Sequence, residues 1–169
     1  MIQTVVSRIF WFVLLTLLQA LVCNHIHILG YATPLPYIYF LLILPGNTPR
    51  WLYILLGFAL GLLIDASCNT PGVAAAATTA GGLLTPWLLH LFAPKDYDEN
   101  TPLLPSVHTM EWGAFLRFAT TVTVLHCLLF FSLEAFNLFH LPDVLINTLG
   151  SSALTILFIA AFELIRNEK

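Results

Sequence analysis

Long runs of apolar residues alternate along the chain with short polar segments. Four of these runs cover residues 5–23, 72–92, 113–131 and 144–165, and each contains at most one charged residue. A transmembrane helix needs about 20 predominantly apolar residues. Each of the four runs therefore predicts one membrane span.

Two further apolar segments are shorter or interrupted. Residues 28–44 carry no charge but include Pro34 and Pro36, and residues 51–64 end at Asp65. Short or irregular segments can lie at membrane depth when neighbouring helices cover their backbone. We therefore predict an all-α integral membrane protein, a six-helix transmembrane bundle with short loops that forms a single polytopic domain over residues 1–169.

The basic residues support six spans and set an orientation. With the N-terminus inside, all of the lysines and arginines fall on the cytoplasmic side, as the positive-inside rule requires. These residues are Arg8, Arg50, Lys95, Arg117, Arg166 and Lys169. The pattern predicts a multi-pass protein of a cytoplasmic membrane, with both termini in the cytoplasm.

Composition excludes several classes of protein. Hydrophobic residues make up 59% of the 169-residue chain and charged residues only 9%. So few charges cannot cover the surface of a soluble domain, and intrinsic disorder needs much lower hydrophobicity. The net charge of −3 and the lack of a basic cluster argue against nucleic-acid binding.

A row of small residues and one carboxylate marks the third span. Gly57, Gly61 and Asp65 are spaced four residues apart, which places them on one helix face. Pro71 and Gly72 then open the fourth span. In lipid, small residues allow two helices to approach closely. This row predicts either helix packing, with Asp65 capping the next helix, or an interface for a partner or ligand.

The longest polar segment lies between the fourth and fifth spans, on the cytoplasmic side. It contains several prolines and the acidic residues Asp96, Asp98 and Glu99. Proline at this density disfavours a regular helix. The segment is either a solvated connector or a docking loop for a cytoplasmic partner.

Residues that suggest chemistry do not form a known motif. His25 and His27 are two apart, with no cysteine or carboxylate at a metal-binding spacing. Asp65 and Asp143 share the predicted outer side, but the residues around them do not match an intramembrane aspartic peptidase motif. We predict no catalytic site, no metal and no cofactor.

The sixth span contains a patch of small polar residues, 147–152. Serine, threonine and asparagine inside a membrane helix commonly form hydrogen bonds with neighbouring helices. The patch therefore predicts inter-helix hydrogen bonding.

The order of landmarks along the first half resembles the family of the rod shape-determining protein MreD. The resemblance is most specific over residues 18–80. It rests on Leu18-Gln19, Gly30, Pro34 and Pro36, Gly57, Gly61, Asp65, and Pro71-Gly72 with the alanine run that follows.

This resemblance implies a non-enzymatic scaffold of the bacterial cell-elongation machinery in the inner membrane. It implies binding to MreC, which has one membrane helix and a large outer domain. It also implies indirect association with the MreB filament and with lateral-wall peptidoglycan synthases.

The MreD family is similar in architecture to the substrate-binding subunits of energy-coupling-factor transporters. The alternative function is therefore a vitamin-binding membrane subunit. The predicted outer loops, 24–30, 65–71 and 132–143, contain no lysine or arginine that would bind an anionic vitamin, so this alternative ranks second.

Overall fold

The computed structural model describes residues 2–25, 32–94, 103–135 and 141–167, most of which are helical and none of which belongs to a strand. Within these ranges six α-helices follow one another, and two 3-10 turns, Cys23–His25 and Pro36–Ile38, lie between α1 and α2. The helices are α1 (Ile2–Leu21), α2 (Tyr39–Leu42), α3 (Arg50–Cys68), α4 (Val73–Leu91), α5 (Val107–Ala135) and α6 (Leu141–Asn167).

Three of the described helices, α3, α5 and α6, are long and apolar enough to cross a membrane. A shorter apolar helix, Val6–Leu21, lies within α1, whereas more than half of α4 is alanine, glycine and threonine. Large apolar side chains point outward, such as Leu21 with 69% and Leu149 with 66% of the surface exposed. Extensive exposed apolar surface marks a membrane contact, so the structure agrees with a helical membrane protein.

Helix α3 is longer than the predicted span 51–64. It has 19 residues and continues past Asp65 to Cys68, which gives a length of about 28 Å at about 1.5 Å per residue. The carboxylate does not end the helix because α4 supplies its hydrogen-bond donors. The extended helix approaches the thickness of a hydrocarbon core, about 30 Å.

The predicted span 28–44 is not one continuous helix in its described part, residues 32–44. Residues 33–35 have no regular secondary structure, Pro36–Ile38 form the 3-10 turn, and only Tyr39–Leu42 are α-helical. Every residue from Pro34 to Leu42 is buried. This segment forms the centre of the bundle instead of facing lipid.

Helix α6 provides the hydrogen bonds that this irregular segment needs. The backbone N–H of Thr33 donates to Ser151 Oγ at 3.0 Å, and that of Leu35 donates to Thr155 Oγ1 at 2.9 Å. Irregular backbone is tolerated at membrane depth when protein groups satisfy it. Ser151 belongs to the polar patch of the predicted sixth span. Its partner lies in this non-helical segment and not in a helix, and Ser152 of the same patch donates within α6 to the carbonyl oxygen of Leu149, so the predicted helix-to-helix bonding is not what these two serines provide.

The other helices overlap the predicted spans and differ at their ends. α1, α4 and α6 depart from the predicted limits by one to three residues. α5 is longer than predicted at both ends: an additional turn, Val107–Met110, precedes a kink at Glu111, where φ is 59°, and the helix continues past residue 131 to Ala135. The kink separates this first turn from the rest of α5.

Candidate functional site

Helices α3 and α4 pack with their backbones in contact along the predicted glycine row. A Cβ atom placed on Gly57 would lie 2.6 Å from the carbonyl oxygen of Thr78, and one on Gly61 would lie 2.6 Å from the backbone nitrogen of Ala75. No real side chain tolerates such distances from backbone atoms. Both glycines therefore face α4 of the same chain and not a partner protein.

The contact is reciprocal further along the two helices. A Cβ atom on Gly82 of α4 would lie 2.5 Å from the carbonyl oxygen of Tyr53 on α3. The Tyr53 hydroxyl in turn donates to the carbonyl oxygen of Leu44 at 2.7 Å. Glycines on both helices thus set the α3–α4 seam, which we define as the contact at Gly57, Gly61 and Gly82.

Asp65 closes the seam at the end where α4 begins. One carboxylate oxygen accepts hydrogen bonds from the Thr70 hydroxyl and the Ala74 N–H, each at 2.9 Å. The other oxygen accepts from the Ala75 N–H at 2.9 Å. The first N–H groups of a helix lack partners within it, and a negative charge there also favours the helix dipole. Asp65, 6% exposed, therefore caps α4 from α3.

The turn between these helices requires left-handed backbone at two positions. Asn69 ends α3 with φ of 57°, and Gly72 precedes α4 with φ of 86°. Glycine adopts positive φ without the steric cost that a Cβ brings, which explains Gly72. Pro71 and Gly72 are both exposed, so they shape the turn and take no part in the buried seam.

A groove runs along the outward side of α3 and α4. We define the α3–α4 groove by its lining residues, whose exposed surface is almost wholly apolar and whose volume is about 540 Å³. They are Ile54, Phe58, Leu62, Gly72, Ala75, Ala76, Thr79, Ala80 and Leu83. The α4 wall is built largely of small residues, so a further helix can approach it closely.

A second buried carboxylate, which the sequence analysis did not identify as a site, lies beside the start of α5. Glu163, 1% exposed, accepts from the Tyr39 hydroxyl at 2.7 Å, the Val107 N–H at 3.0 Å and Arg166 at 2.9 Å. Arg166 also donates to the carbonyl oxygen of Pro105 at 2.6 Å. This cluster fastens the start of α5 to α6 and to α2.

The sequence did carry a signal for this cluster. Glu163 is the single charge inside the sixth apolar run, and Arg166 follows three residues later, a spacing at which helical side chains meet. Its partners Tyr39 and Val107 are distant in sequence, so their identity could not be read from local pattern. Asp65 and Glu163 thus have the same role, because each is a buried carboxylate that caps a helix of the bundle.

The remaining predicted sites are placed as follows. Asp96, Asp98 and Glu99 lie outside the described residues. Asp65 and Asp143, the two aspartates considered for a peptidase pair, lie in different surroundings. Asp143 is exposed in the first turn of α6, whereas Asp65 is buried and both of its oxygens accept hydrogen bonds from the chain. Over the described ranges, no three histidine, cysteine or acidic side chains stand close enough to hold a metal ion.

Comparison of the chain with protein-family models, with curated proteins and with solved structures finds no match.

Proposed function

We propose that this chain is a non-enzymatic membrane scaffold that binds a single membrane helix of a partner protein in the α3–α4 groove. The observation that carries the proposal is the groove itself. It is long, apolar and walled on one side by small residues, among them Ala76 and Ala80.

The internal packing of the chain leaves this surface for another molecule. Gly57 and Gly61 of α3 are already packed against the backbone of α4. The outward face of α4 keeps Ala76 exposed. Lipid gives helices no hydrophobic reason to associate, so shape complementarity at small residues drives their contact. A rigid helix of a partner can therefore make closer contact with this surface than flexible lipid chains can.

The resemblance to the MreD family suggests which partner this is. In that family the partner is MreC, which contributes one membrane helix, and the complex acts with MreB and the lateral-wall peptidoglycan synthases. The scaffold would lie in the bacterial inner membrane with six spans and both termini in the cytoplasm. The one-sided basic residues support that orientation.

The experiment is co-purification from detergent, followed by mass spectrometry, for the wild type and two matched variants. Ala76→Leu fills the groove, and Ala153→Leu makes the same change at an exposed position of α6. We expect a single-span partner to be recovered with the wild type and with Ala153→Leu, and to be lost with Ala76→Leu. Equal recovery with all three proteins would contradict the assignment of the groove.

A further inference from the structure

A second apolar cavity lies between α1 and α3, and we call it the α1–α3 cavity. Its volume is about 210 Å³, and its lining is almost wholly apolar, with Phe12 of α1, Phe40 of α2, and Leu52 and Leu56 of α3. Arg8 supplies the single charge among the lining residues that the structure describes. The cavity shares no lining residue with the α3–α4 groove.

Arg8 also borders a more polar cavity at the same end of the bundle. This polar cavity has a volume of about 470 Å³, and its lining includes Ser7, Trp11, His108 and Arg166. Arg8 therefore stands where an apolar cavity meets a polar one.

The charge of Arg8 is not balanced within the part of the chain that the structure describes. Its side chain is half-buried, and no described carboxylate pairs with its guanidinium group and no described acceptor takes a hydrogen bond from it. Glu163 pairs with Arg166 instead, at 2.9 Å. A charge within an apolar helix is unfavourable without a partner. This indicates that an anion from outside the chain pairs with Arg8.

The two cavities follow one another in the order of a lipid headgroup and its acyl chain. Trp11 follows Arg8 by three residues on the same helix face, and indole rings concentrate at the level of the headgroups. From Arg8 to Phe12 on α1, and from Leu52 to Leu56 on α3, the α1–α3 cavity extends by about 6 Å along both helices. A phosphate at Arg8 would therefore continue into an acyl chain between α1 and α3.

Other occupants match only a part of this site. A free inorganic anion would pair with Arg8 and leave the apolar cavity empty. An apolar membrane helix would cover the apolar lining and leave the guanidinium group without an acceptor. A zwitterionic phospholipid would bring its ammonium group beside Arg166 and His108, where the described lining offers no carboxylate. An amphiphile with a net negative charge matches the whole site.

We propose that Arg8 and the α1–α3 cavity bind an anionic phospholipid, with its phosphate on Arg8 and one acyl chain between α1 and α3. A guanidinium group can donate two parallel hydrogen bonds to a phosphate. The cytoplasmic leaflet, to which the positive-inside rule assigns Arg8, carries anionic lipids. This inference goes beyond the scaffold function and does not depend on it, because the site and the α3–α4 groove have no lining residue in common.

The test titrates the full chain, purified in an uncharged detergent, with dioleoyl phosphatidylglycerol and dioleoyl phosphatidylcholine, which share their acyl chains. Native mass spectrometry measures the bound lipid, and thermal unfolding measures the stabilisation. We expect phosphatidylglycerol to bind at least about tenfold more tightly, as hydrogen bonds to a charged group allow. Equal affinity for the two lipids would overturn the proposal.

A headgroup without acyl chains tests the role of the apolar cavity. Glycerol 3-phosphate carries the anion alone, so it should not displace phosphatidylglycerol at equal concentration. Displacement at equal concentration would identify a site for free phosphate esters and would contradict the lipid proposal.

One pair of variants tests the charge. Arg8→Gln should reduce the preference for phosphatidylglycerol to less than about twofold. Arg50→Gln is the matched control, because Arg50 is exposed at the start of α3, at the same end of the bundle, and lines neither cavity. It should keep the preference. Full preference in Arg8→Gln, or equal loss in both variants, would contradict the site.

A second pair tests the place of the acyl chain. Leu56→Trp fills the α1–α3 cavity and should weaken phosphatidylglycerol binding about tenfold with Arg8 intact. Leu55→Trp adds the same side chain at a neighbouring position that is 53% exposed and lines neither cavity, so it should leave binding unchanged. Equal affinity in the two tryptophan variants would place the acyl chain elsewhere and refute the proposal. The Arg8 pair keeps the proposal testable if Leu56→Trp fails to fold.

Discussion

Gly61→Ala is the smallest change that tests the α3–α4 seam. The new Cβ would lie 2.6 Å from the backbone nitrogen of Ala75, whereas carbon atoms in contact normally stay about 3.5–4.0 Å from their neighbours. The Thr78 hydroxyl is also in the way, but the Cα and nitrogen of Ala75 belong to the helix backbone and cannot rotate away as a side chain can. The variant must therefore separate α3 from α4 by about 1 Å.

The cost of this separation can be estimated. A gap of about 0.5–1 Å forfeits a quarter to a half of the dispersion energy of the atoms that lose contact, and overpacking of this kind typically costs about 1–3 kcal/mol. The same movement draws the start of α4 away from the carboxylate of Asp65. The higher helix propensity of alanine offsets at most about 1 kcal/mol of this loss. We expect a net loss of stability.

The assay is thermal unfolding in detergent, followed by tryptophan fluorescence. For a chain of this size about 1 kcal/mol moves the midpoint by about 2–4 °C, so we expect Gly61→Ala to lower it by several degrees. The matched control is Gly81→Ala on α4, whose Cβ would make an ordinary contact of 3.5 Å with Leu41. It should leave the midpoint unchanged or raise it. If Gly61→Ala is as stable as Gly81→Ala, the close packing inferred for the seam is wrong.

Three further predictions follow from the buried carboxylates and the orientation. Asp65→Asn turns an NH₂ group toward the Ala75 N–H, so it should lower the free energy of unfolding by about 1–3 kcal/mol, and Asp65→Leu should lower it further. A wild-type thermal midpoint for the asparagine variant would refute the cap. Glu163→Gln removes the charge shared by three donors and should cost about 2–4 kcal/mol in the same assay, whereas no change would show that the cluster contributes nothing. In a cysteine-free background, Asn69→Cys should react with a membrane-impermeant thiol reagent in intact cells and Asp98→Cys only after permeabilisation; external labelling at position 98 would reverse the topology.

The sequence predicted the helical class and the glycine seam because both depend on local pattern. Apolar runs and four-residue spacing define which positions share a face. They do not define what that face contacts, since a neighbouring helix and a partner helix offer the same apolar environment in lipid. The structure turns Gly57 and Gly61 toward α4, which moves the candidate partner surface to Ala76 and its neighbours.

The second span shows where local pattern failed. Residues 28–44 are apolar and uncharged, which suits a helix, but Pro34 and Pro36 remove two backbone donors. The alternative to a helix becomes possible only because Ser151 and Thr155 accept hydrogen bonds from this segment, and these residues lie about 120 positions away in sequence. No local feature of the sequence predicts these long-range hydrogen bonds.

The central claim is that the α3–α4 groove receives a partner helix, and photo-crosslinking from within the groove tests it most directly. A photoreactive amino acid at Ala76 should crosslink in cells to a membrane protein that mass spectrometry identifies as having one membrane helix and a large outer domain. The same amino acid at Ala153, exposed on α6, should not. Crosslinking at position 76 to lipid alone, or the same protein captured equally from both positions, would contradict the account.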